Sequence, residues 1–224
     1  MTEAPTTLPE RGGTGRRSPL TPRRASLAAL LLLVVAIAAT TTYRSDSEPT
    51  ASGKAPFDAQ AYAAKTYAPK VVPAIKKNAV DITTLHKAIT VDPDAAAAKY
   101  GHRAGTGPAS YAVTLTGVAG TADGGLLPVK VDGLDTARVS VQIGPAINGT
   151  ALRDAPGLIT FGQFTNQVEY ADAATALNAQ MKAKVLKSFD PAAVTGKKIT
   201  VTGATTPLTA DVVTVTPVSI EVTP

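Results

Sequence analysis

The spacing of apolar residues divides the chain into three stretches. From Ala25 to Ala39 the run is unbroken, and Thr40–Thr42 extend it without charge. At about 15–18 residues it sits at the short end of the range for a membrane-spanning helix, and it also fits the hydrophobic region of a signal peptide. From Phe57 to about residue 100 the apolar positions recur every three or four residues, which predicts helix. Asp58 is placed to cap a first helix, with Phe57 packing onto Tyr62. Pro69 and Pro73 are expected to kink or break its second half. Val80-Asp81 repeats the device, with Ile82, Leu85, His86 and Ile89 on one face. Asp92-Pro93 opens a third helix and Gly101 stops it.

After the Gly105–Pro108 break the period changes to two. Tyr111, Val113 and Leu115 alternate, and Gly117 and Gly120 are expected to loosen that strand. Leu127, Val129 and Val131 form a second strand, and Val139, Val141 and Ile143 a third. A Gly- and Pro-broken stretch, Gly144 to Gly162, leads into a helix over about Val168–Ser188, striped by Tyr170, Ala174, Leu177, Met181 and Val185. Ile199 and Val201 mark a fourth strand. Val213 and Val215, then Val218, Ile220 and Val222, mark a fifth whose inward parity switches near Pro217, as at a bulge. Three strands, a helix and two strands is the chain order of an oligonucleotide/oligosaccharide-binding (OB) barrel. The fold class expected is α+β: an N-terminal transmembrane helix, short helices, then a five-stranded OB-like barrel with a helix between strands three and four.

Charge supplies the orientation. The 224 residues carry a net +5. Five arginines in residues 1–24 stand against Glu3 and Glu10 and account for +3, which leaves +2 for the rest. A basic leader before an apolar run stays in the cytoplasm. The expected organisation is a cytoplasmic leader (1–24), an anchor or signal segment (25–42), a Ser/Pro/Thr linker (43–56) and an extracytoplasmic domain (57–224), helical over 57–103 and barrel-like over 108–224. The leader is long for a signal peptide, which favours a retained single-pass anchor over cleavage after Ala38. A near-neutral domain gives no footprint for nucleic acid, and 4% aromatics are too few for base-stacking platforms.

Candidate chemistry is sparse. With no cysteine there is no disulfide, no thiolate and no residue to acylate. His86 and His102 are far apart in sequence and lack ligand spacing, so neither a metal nor a cofactor is expected. Asp92, Asp94, Asp123, Asp132 and Asp135 read as caps and turns. No nucleophile elbow, dinucleotide fingerprint or P-loop occurs, and no catalytic residue is nominated.

Two blocks, Ile143-Gly144-Pro145-Ala146-Ile147-Asn148-Gly149-Thr150-Ala151-Leu152-Arg153-Asp154-Ala155 and Phe161-Gly162-Gln163-Phe164-Thr165-Asn166-Gln167-Val168-Glu169-Tyr170-Ala171, resemble the DUF2291 family of predicted periplasmic lipoproteins. Val71-Val72-Pro73-Ala74-Ile75 and Lys99-Tyr100-Gly101 agree with it. The resemblance implies an exported, membrane-tethered protein with no assigned reaction, in loose company with sugar-importing ABC transporters. Lacking cysteine, this chain would be tethered by Ala25–Thr42 itself. The functional expectation is a non-enzymatic extracytoplasmic accessory or binding module. The alternatives are a small-molecule (sugar) binder and a cryptic hydrolase.

The polar residues of the two blocks, Arg153, Asp154, Asn166, Gln167 and Glu169, are the candidate ligand or partner site. Each has a structural counterpart reading. Arg153 would pin a loop to backbone carbonyls, with its neighbour Asp154 pointing elsewhere. Asn166, Gln167 and Glu169 sit at the start of the long helix, where Thr165 or Asn166 would serve as N-cap and Glu169 as the reciprocal partner of a capping box around Asn166.

Overall fold

The computed structural model describes residues 56–223, together with Leu33 and Ala36, which are helical and exposed. The leader, the rest of the anchor Ala25–Thr42, the cleavage position after Ala38 and nearly all of the linker lie outside the described residues. Among the described residues no helix is long and apolar enough to cross a membrane.

Helix α1 (Ala59–Thr66) begins where Asp58 accepts the Ala61 N–H at 2.9 Å. Pro69 does not break it. A π-helical turn, Tyr67–Val71, carries the chain directly into α2 (Val72–Asn78). Neither Pro69 nor Pro73 can donate to the carbonyl four residues back, and the proline ring crowds that carbonyl. Widening the turn, so that Val72 donates to Tyr67, absorbs the conflict without ending the helix. Two-residue β1 (Val80–Asp81) precedes α3 (Ile82–Val91), capped by Asp81, and α4 (Pro93–Tyr100) is capped by Asp92. Short β2 (Gly101–Arg103) pairs antiparallel with the first long strand, and β1 pairs parallel with it.

Five strands close a barrel: β3 (Ala109–Ala119), β4 (Leu126–Lys130), β5 (Arg138–Gln142), β6 (Lys198–Thr205) and β7 (Val212–Val222). Their order around the wall is β3-β4-β5-β7-β6, and β6 returns to pair with β3 over Tyr111↔Thr205 to Val118↔Lys198. Among these five strands all pairings are antiparallel except β5 with β7. Gly117 does not loosen β3. A Cβ there would meet the Lys130 carbonyl oxygen at 2.3 Å, so the glycine lets β4 cross closely at the point where the barrel turns. The register shift in β7 leaves Val218 as an extra residue between Pro217, opposite Gly203, and Ser219, opposite Thr202. The bulge therefore restores Ile220 to the same side as inward Val201, while Val218 itself packs outside the barrel.

Two apolar clusters result. One fills the barrel with Val113, Leu115, Leu127, Val129, Val139, Val141, Ile199, Val201, Val213 and Val215, and Ile82 and Leu85 of α3 join it. The other lies on the outer wall, where opposed Ala112 and Ala204 present little bulk. Onto it pack Tyr67, Val71 and Ile75 from the first helical segment, Leu152 of α5 (Ala151–Asp154), and Leu177 and Met181 of α6 (Gln167–Met181). The helix between strands three and four of the barrel is α6, and it contributes to the outer cluster. Val194 of the four-residue α7 (Pro191–Val194) belongs to the interior one.

Candidate functional site

Arg153 and Asp154 occupy the last two positions of α5, and both are buried, at 6% and 8% exposure. The expectation that these neighbours point apart fails. The arginine side chain is long enough to fold back over its own turn. Its Nε donates to Asp154 Oδ1 at 2.7 Å and its Nη2 to Oδ2 at 3.1 Å. Such a two-pronged ion pair matches the planar fork of a guanidinium to a carboxylate. Its Nη1 donates to the Tyr170 carbonyl at 2.9 Å, tying α5 to the first turns of α6. The guanidinium carbon lies 3.5 Å from the centre of the Tyr170 ring, stacked on its face.

The carboxylate is satisfied from every side. Oδ1 also accepts from the Tyr170 hydroxyl at 3.3 Å, and Oδ2 from the Thr150 hydroxyl at 2.6 Å. Burial, followed by the adjacent Asp154 charge, raises the Tyr170 phenol above its ordinary value. Around Tyr170 the rings of Phe161 and Phe164 stand at 5.7 and 5.3 Å, and Phe164 in turn meets Phe57 and Tyr62 at 5.3 and 5.5 Å. This chain of tilted and edge-on contacts links the start of α1 to the arginine.

A cavity of about 570 Å³ opens beside the pair. Three segments wall it: His102 to Gly105, from β2 into the turn that follows it, the loop Gly157–Phe161, and Gln167, Tyr170 and Ala171 on one face of α6. Gly157 has φ +67°, and a Cβ on it would fall 2.6 Å from the His102 ring. Glycine is thus required twice over, by the left-handed backbone and by the imidazole lying against it. Arg103, which also lines the cavity, pairs with exposed Asp94 at 2.9 Å. The cavity lies within the size range of small-molecule sites and mixes aromatic walls with planar polar groups.

Of the five residues nominated from sequence, Arg153, Asp154 and Gln167 line this cavity. Asn166 and Glu169 do not. Asn166 accepts the Glu169 N–H at 2.9 Å, and Glu169 reaches back to the Thr165 N–H at 2.8 Å, so both hold the start of α6. His102, Arg103, Thr160, Phe161 and Tyr170 line the cavity without having been nominated. No local pattern marks His102 or Arg103. Their place depends on β2 pairing with β3, which brings residues some fifty positions from Arg153 to its side. The only nearby signal was the Lys99-Tyr100-Gly101 block immediately before them. Among the described residues no group of histidine and carboxylate side chains is arranged to hold a metal ion.

The model of DUF2291, described as a predicted periplasmic lipoprotein, matches residues 29–221. The chain belongs to the DUF2291 family. That description supports an extracytoplasmic domain held at the membrane. The crystal structure of an OB-fold protein from Thermotoga maritima MSB8 superposes with a TM-score of 0.64 at 18% identity, over 75% of this chain and all of that one. At that identity the likeness establishes the fold, and it agrees with the closed five-stranded barrel. None of the curated proteins matches the chain.

Proposed function

We propose that this DUF2291 protein is a non-enzymatic, extracytoplasmic binding module that holds a small polar molecule in the cavity beside Arg153, tethered to the membrane by Ala25–Thr42. The observation that supports it best is the placing of a buried ion pair, its carboxylate saturated with hydrogen bonds, in the wall of an otherwise open cavity. Leaving two charges buried is costly unless they are well partnered, and an apolar pair would fill the wall more simply. A non-catalytic role fits the saturation of Asp154, whose oxygens are engaged by Arg153, Tyr170 and Thr150 and are not poised to take a proton from a substrate. In this reading the module serves as an accessory to an ABC-type importer, delivering or sensing the imported compound.

The test is a full-length chain purified in mild detergent and examined by native mass spectrometry. A bound small molecule is expected, and it should be absent from an Ala171→Trp variant that fills the cavity. Retention of the same molecule by that variant would overturn the assignment of the site. Phosphatase fused after Arg44 should be active, and an active cytosolic reporter at that point would overturn the tether.

A further inference from the structure

Resting on that reading, we infer that the ligand carries an oxyanion, a carboxylate or phosphate group, and is not a neutral polyol. The donors and acceptors around the cavity are unequally committed. A carboxylate offers about four lone-pair positions. Those of Asp154 receive Arg153 Nε and the Tyr170 hydroxyl on Oδ1, and Arg153 Nη2 and the Thr150 hydroxyl on Oδ2. Nothing remains on it to accept a ligand hydroxyl.

The guanidinium is in the opposite condition. Arginine presents five N–H groups, and Arg153 spends three, two on Asp154 and one on the Tyr170 carbonyl. The two left over belong to its terminal nitrogens, on a side chain that lines the cavity. Arg103 adds a second guanidinium, engaged by Asp94 and the Gly107 carbonyl through its terminal nitrogens, with Nε uncommitted. Its bond to Asp94 is between exposed groups and is easily exchanged for a ligand. The Gln167 amide and the Thr160 hydroxyl contribute further donors.

Charge points the same way. Two guanidinium groups and one carboxylate line the cavity, and no other acidic side chain does. A neutral sugar would need acceptors for its hydroxyl protons, and with Asp154 full the side chains of the lining offer it neutral ones, the Gln167 carbonyl oxygen, the Thr160 hydroxyl and the His102 ring. An oxyanion needs only donors, and it finds them on two arginines from different segments. Ile159, Phe161 and Tyr170 then cover the less polar body of the molecule.

Calorimetric titration of the full-length chain separates the cases, with ribose and glucose set against ribose 5-phosphate, glucose 6-phosphate, benzoate and citrate. At least one anionic member should bind more than about tenfold more tightly than either neutral sugar, and more weakly as salt is raised. Arg103→Gln should weaken that binding about tenfold at an unchanged melting temperature, because the lost Asp94 contact is an exposed one. Saturable binding of neutral sugars with equal or greater affinity, abolished by Ala171→Trp, would overturn the oxyanion and leave the cavity reading standing. Anion binding that is indifferent to both Arg103→Gln and Ala171→Trp would overturn both, as would the failure of every compound to bind.

Discussion

The two apolar clusters differ in what they ask of the residues that build them. The barrel interior is made almost wholly of Val, Leu and Ile at alternate positions, and each strand contributes two or more. Its requirement is volume and β-propensity, which many similar sequences could meet. The cluster on the outer wall draws on alanines, tyrosines and a methionine from helices and strand faces alike. Along its border lie the Arg153–Asp154 pair and the cavity, and within it is an orphan hydroxyl, that of Tyr67, which is buried without a hydrogen-bond partner. Polar groups with defined partners tolerate far less substitution than apolar ones. The barrel is thus the scaffold, and the specialised chemistry is confined to the seam where helices lie against its wall.

The strongest way to break this contrast is Asp154→Ala. It leaves the Arg153 charge buried without its counter-ion, and a loss of about 3–5 kcal/mol is expected in urea unfolding. A loss below 1 kcal/mol would mean that water already reaches the pair, in the manner of an exposed bridge. In the barrel, Leu127→Ala should cost about 2–5 kcal/mol through the cavity it leaves. It should not alter ligand affinity in the folded protein, and a large change in affinity would erase the division between scaffold and site.

Tyr67→Phe tests the sign of the orphan group. Removing a buried hydroxyl that has no partner should stabilise the protein, by up to about 1–3 kcal/mol. Destabilisation would show that the hydroxyl is satisfied by water. Burial has already pushed that phenol well above its ordinary value, so no titration is expected in the neutral range. Asn166→Ala should cost about 0.5–2 kcal/mol as a lost helix cap, with ligand affinity unchanged, since Asn166 lies off the cavity.

The smallest effect concerns Asp81. Partial burial pushes its carboxyl upward, but hydrogen bonds from Thr83 and Thr84 and the nearby Lys87 charge outweigh it and hold the group below its usual value. A carboxyl depressed on folding stabilises the protein at pH above its unfolded value, near 4. That contribution is lost as the pH falls through the folded value. Asp81→Asn retains a capping side chain and should flatten this part of the acid-stability profile. An unchanged profile would remove Asp81 as its source.

Much of the architecture follows from short-range pattern. Alternation locates every barrel strand, because a strand half-buried in a closed wall must send every second side chain inward. The bulge at Val218 is visible as a change of parity, and Asp58, Asp81, Asp92 and Asn166 declare their helices because a cap must precede the donors it satisfies. The absence of cysteine and the basic leader are likewise properties of the chain before it folds. Tertiary structure alone decides the rest. Whether two prolines end a helix or widen it into a π turn depends on what the far half packs against. Gly117 and Gly157 owe their identity to a Lys130 carbonyl and a His102 ring that arrive from other segments. The cavity joins β2, the loop after α5 and the face of α6, and no local period encodes that meeting. Arg153 folds onto its own neighbour only because Tyr170 supplies a ring beneath it and a carbonyl beyond it, from 17 residues further along the chain. Patterning specifies which face of each element is apolar, but the partner of a polar group depends on distances that exist only once the faces have closed.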